Sequence, residues 1–69
     1  MTVSGDKRTA HVLGVKPAEA SALVDRLARL LPAHAEAILK RYEISWRKPD
    51  GLANVRVPVD ADIVRRALG

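Results

Sequence analysis

The chain has 69 residues, no cysteine and a formal net charge of +4. That limits it to one small domain and excludes disulfides, thiolate metal sites and a thiol nucleophile. Its 48% hydrophobic content overstates the core, because alanine is the most frequent apolar residue and the aromatics are one Trp, one Tyr and no Phe.

Residues 1–8, "MTVSGDKR", are polar, contain Gly, and are expected to form a flexible N-terminal arm ahead of a single domain over residues 9–69. They lack the apolar centre of a signal peptide, and no apolar run approaches the roughly 18 residues of a transmembrane helix. A soluble cytoplasmic protein without a membrane partner is therefore expected. Residues 9–15, "TAHVLGV", alternate so that Thr9, His11, Leu13 and Val15 share one side of a strand. The same stretch also supplies Ala10, Leu13-Gly14-Val15, Ala20 and Leu23 at the spacings of a helix-turn-helix. The strand is preferred, because Val, Thr and Gly are poor helix formers in so short a segment.

Pro17 suits the first turn of a helix, where its missing N–H costs nothing. From there Ala20, Leu23, Val24, Leu27, Leu30 and Leu31 fall at offsets of three and four and make one wide apolar stripe, while Asp25 can reach Arg29 on the other side. Pro32 disfavours the helical conformation at Leu31 and ends or kinks this helix. A second helix follows with Ala35, Ile38, Leu39 and Tyr42 on one face and Glu36 paired to Lys40. Two amphipathic helices meeting at one proline form an angled pair.

The stretch "EISWRKPDGLANVRV", residues 43–57, has the alternation of a hairpin. Asp50-Gly51 as a two-residue turn puts Trp46 opposite Val55 and Ile44 opposite Val57, with all four turned inward. Glu43, Ser45 and Arg47 then line the outer face with Pro58, Arg56 and Asn54. After Pro58, Asp60 is a credible N-cap for a short last helix whose apolar side is Ile63, Val64, Ala67 and Leu68. The expected fold is a small α+β domain: two angled helices and a short C-terminal helix packed on a β-hairpin, with residues 9–15 as a candidate third strand and a winged-helix-like arrangement as the specific variant.

Catalysis is poorly provided for. His11 and His34 stand alone without a metal-ligand spacing, Ser4, Ser21 and Ser45 lie in no triad context, and Gly14 lacks the partner glycines of a phosphate-cradling loop. No enzyme activity, metal or cofactor is expected. The positive charge concentrates in residues 40–69 and in the N-terminal segment. That distribution favours a module that binds DNA or RNA through a basic hairpin face. Arg47, Lys48 and Arg56 would contact phosphate, assisted by Lys40, Arg41, Lys7 and Arg8. The alternative, ranked narrowly behind, is a protein-interaction module such as a small regulator, inhibitor or adaptor, with a homodimer as one form.

Overall fold

The computed structural model describes residues 1–46 and 50–69. Four strands and three helices follow one another as two strands, two helices, two strands and a last helix: β1 (Thr2–Gly5), β2 (Ala10–Val15), α1 (Ala20–Leu30), α2 (Ala35–Arg41), β3 (Glu43–Trp46), β4 (Ala53–Val57) and α3 (Ala61–Leu68). The strands form one antiparallel sheet in the order β1-β2-β4-β3. All three helices pack on the same face of it, so the domain is an α+β fold of two layers.

Register explains the core. Side chains on a strand alternate between faces. Val3, Val12, Val55 and Ile44 stand side by side across all four strands and form an apolar row beneath the helices. Ala10 with Val57, and Val15 with Ala53 and Trp46, make the flanking rows on the same side. From above, Leu23, Val24 and Leu27 of α1, Ile38 of α2 and Val64 of α3 close the core. Leu27, Ile38, Val12, Val55, Val57 and Val64 are the largest fully buried side chains, and no polar side chain is buried among the described residues. A core of Val, Leu, Ile and Ala requires close approach of helix and sheet, which the small residues Ala10, Ala20, Ala28, Ala53 and Ala61 permit.

Pro17 and Pro32 act as local start signals. Pro17 and Pro32 each open a 3₁₀ turn that runs directly into a helix. Leu31, just before Pro32, takes φ −124° and ψ 67°, outside the helical region as a pre-proline residue must. Asp60 caps α3 as expected, its carboxylate accepting the Asp62 N–H at 2.8 Å. Ion pairs form between Lys40 and Glu36, Arg56 and Glu43, and Arg65 and Asp62, all exposed; Asp25 and Arg29 are not among them.

Four expectations change. Residues 1–8 were expected to be an arm, but Thr2–Gly5 form an edge strand paired with β2. Two features hold it: Gly5 at φ +127°, where a Cβ would lie 2.1 Å from the Thr9 carbonyl oxygen, and Arg65, whose guanidinium donates to the Val3 carbonyl at 3.0 Å. Residues 9–15 are the strand that was preferred over the helix-turn-helix, yet its inward set is Ala10, Val12 and Val15. Leu13 and Gly14 together face the single residue Asn54, a bulge that Gly14 accommodates at φ +72° and that returns Val15 to the core side. The β3–β4 register is offset by two residues from the expected one, pairing Ile44 with Val55 and Trp46 with Ala53. The face assignment survives this offset, because two residues is one full strand period. Finally, β4 is a central strand, bonded to β2 as well as β3, so the hairpin is part of a four-stranded sheet rather than standing beside at most one further strand.

Candidate interaction surface

The sheet face away from the helices is open and polar. Ser4, His11, Arg56 and Glu43 cross it in one row, and Asn54 and Ser45 lie in the next. Arg56 reaches Glu43 at 2.5 Å, with both side chains about half exposed or more. An exposed pair of this kind contributes about 0–1 kcal/mol, so an anion could draw the guanidinium away at little cost. Asn54, opposite the bulge, is only partly buried, but its Oδ1 atom is shielded from solvent and has no hydrogen-bond partner among the described residues.

The expected cationic residues occupy separate places. Lys7 and Arg8 sit in the β1–β2 turn, whose shape is fixed by Asp6. The Asp6 carboxylate accepts the backbone N–H groups of Arg8 at 2.8 Å and Thr9 at 2.9 Å, and these bonds hold its pKa below the ordinary carboxylate value. The Asp6 carbonyl accepts the Ala61 N–H at 2.9 Å, anchoring the turn to the start of α3. Lys40 and Arg41 end α2, where cations suit the helix dipole, and Lys40 is 2.7 Å from Glu36. The β1–β2 turn and the α2–β3 junction lie at the same end of the sheet but on opposite edges, about 14 Å apart at three strand spacings. Arg56 lies between them on the open face. Arg47 and Lys48 lie outside the described residues.

The sharper feature was missed from sequence. Trp46 was expected in the core; the residue is 62% exposed. It does point to the helix side, but its neighbour in register is Ala53, too small to cover it, and β3 is an edge strand. Tyr42, expected on the buried face of α2, instead leaves the helix in an extended conformation at φ −66° and ψ 152°. Tyr42, Ile44 and Trp46 therefore alternate onto one side of the same edge. Tyr42 is 41% exposed and Ile44 is half-buried against the core. Both aromatic residues of the chain thus lie on one sheet edge rather than in the core. Leu39, three residues before Tyr42, is also exposed, at 49%. The sequence did contain a signal: a proline-opened helix of only seven residues ends at Arg41, so Tyr42 already belongs to the strand period.

The two edges of the sheet differ. On β1, Arg65 occupies the Val3 carbonyl and shields the edge. On β3, no side chain bonds the backbone of Glu43–Trp46 among the described residues.

Comparison of the chain with protein-family models, curated proteins and solved structures gives no match.

Depressions of the surface offer no reaction centre. One of about 330 Å³ is lined by Met1, Val15, Glu19, Ala22, Leu23 and Arg26, and one of about 420 Å³ lies over Ala33, Ala37 and the charged groups of α2. Neither brings together a nucleophile and a base. Among the described residues no group of three or more His, Asp or Glu side chains is placed to hold a metal, and no helix is long and apolar enough to cross a membrane.

Proposed function

We propose that the chain is a non-catalytic protein-interaction module that takes a strand of its partner along the edge of β3. The observation that carries this reading is the placement of both aromatic residues, Tyr42 and Trp46, on that exposed edge. Strand addition draws affinity from backbone hydrogen bonds and selectivity from alternate side chains, and Trp and Tyr are the residues that most often dominate binding energy. The absence of cysteine suits a reducing, cytoplasmic setting. Backbone amide shifts measured against a panel of strand-forming peptides test the reading. Changes should centre on Glu43–Trp46 and weaken at least tenfold in Trp46→Ala; changes confined to the open sheet face or to α3 overturn it.

A second reading rests on a different observation, the adjacency of Arg56 and His11 on an uncovered sheet face in a chain of net charge +4. Here the module binds DNA or RNA, with Arg47, Lys48 and Arg56 on phosphate and Lys40, Arg41, Lys7 and Arg8 in support. About five phosphate contacts give a log–log salt slope near −4 to −5. Gel shifts with duplex and single-stranded oligonucleotides at two salt concentrations would show it. If Arg47→Glu with Arg56→Glu leaves binding unchanged, this reading is wrong.

A further inference from the structure

We propose that the strand received by β3 is the β3 of a second copy of this chain, so that two sheets join edge to edge about a two-fold axis at Ile44. The inference rests on the strand-addition reading above and names its partner. Its basis is the self-complementarity of the edge. In an antiparallel pair, residues of one face meet only in registers that differ by two. With Ile44 on the axis, Tyr42 of each copy stands across from Trp46 of the other, and Ile44 meets Ile44. An aromatic, aliphatic, aromatic ladder results with no exposed gap. A slip of two residues, with Ser45 on the axis, leaves Tyr42 uncovered, and a slip of one turns the ladder to the wrong face.

Three observations favour a second copy over a foreign strand. The apolar row Val3, Val12, Val55, Ile44 stops at the edge with Ile44 only partly covered, and a two-fold copy continues the same row without interruption. On the opposite face the chosen register sets Glu43 across from Ser45, so the only charge in Tyr42–Trp46 meets a neutral hydrogen-bonding group. The far edge of each sheet is shielded by Arg65, which stops the assembly at two copies rather than allowing a fibre. Five residues of edge and two aromatics cover less than the roughly 800 Å² per partner of a stable interface, which makes the dimer weak, dissociating at about micromolar concentrations or above.

Sedimentation equilibrium over a concentration series bracketing that range is the direct test, read together with Trp46 emission, which should shift to the blue as the dimer forms. Substitutions at Ser45, exposed on the open face, leave the core untouched. Ser45→Glu sets two carboxylates across from each other on either side of the axis and should weaken association several-fold to about tenfold, whereas Ser45→Lys should strengthen it. Tyr42→Ala with Trp46→Ala should abolish it. A dimer indifferent to all of these changes has another interface, and the inference fails. A chain monomeric at every concentration whose Glu43–Trp46 amides still respond to a foreign strand-forming peptide overturns the dimer and leaves the proposed function standing. A monomer that responds to no peptide overturns both.

Discussion

Trp46→Ala offers a quantitative check on the surface position of the indole. Truncating a fully buried Trp costs about 3–5 kcal/mol. With 62% of Trp46 already in water, only the remaining fraction of that burial is lost, roughly 1–2 kcal/mol. A 69-residue domain has a total stability of about 3–10 kcal/mol, so the variant should remain folded, with Tm lower by about 5–15 °C. Leu27→Ala removes a smaller side chain from a site with no exposure and should cost more, about 3–5 kcal/mol. Urea denaturation followed by far-ultraviolet circular dichroism, at low protein concentration, compares the two directly. In the parent, acrylamide should quench the Trp46 emission efficiently. An unfolded Trp46→Ala protein, or a loss exceeding that of Leu27→Ala, would mean that the indole is a core group and that the edge surface does not exist.

Gly5→Ala should be among the most damaging small substitutions, because the new Cβ meets the Thr9 carbonyl at 2.1 Å; Gly51→Ala, with open space at φ +67°, should cost only about 1–2 kcal/mol. Denaturation midpoints of the two variants decide this. Asp6, whose pKa is lowered by the Arg8 and Thr9 N–H groups, stabilises the fold above its unfolded value near pH 4, and this contribution disappears as pH falls through the lowered native value. The stability gap between the parent and Asp6→Asn should therefore be constant near neutrality and close on acidification; a gap unchanged down to strong acid would show that the carboxylate charge plays no part. Arg65→Ala should speed amide hydrogen exchange in Thr2–Gly5 well before it affects β4, since Arg65 ties α3 to the Val3 carbonyl.

Elements governed by local chemistry were legible in the sequence. The stripe from Ala20 to Leu27, the stop at Pro32, the Glu36–Lys40 pair and the Asp60 cap each depend on residues within one or two turns of one another. The failures came where a distant strand decides. "TVSG" holds one apolar residue and becomes β1 only because β2 pairs with it and Arg65 reaches it from the other end of the chain. In β2, simple alternation groups His11 and Leu13 with Val15, but the Gly14 bulge moves Val15 into phase with Ala10 and Val12. A glycine inside a strand pattern is the sequence signal for such a slip. Trp46 was assigned to the core because it shares parity with Ile44, which is correct; parity gives the side of the sheet, not whether anything lies above it. Of the cationic residues expected to act together, Lys7 and Arg8 lie at one edge, Lys40 and Arg41 at the other and Arg56 on the central β4 between them, a separation fixed by the strand order.

The central place of β4 sets the order in which the domain can be built. Its two neighbours, β2 and β3, are separated from each other by both α1 and α2, and neither can be bonded on its inner side until residues 53–57 have left the ribosome. A nascent chain ending before Ala53 therefore holds one isolated hairpin and a pair of helices without a floor, so protease resistance should emerge abruptly once β4 is available rather than in stages.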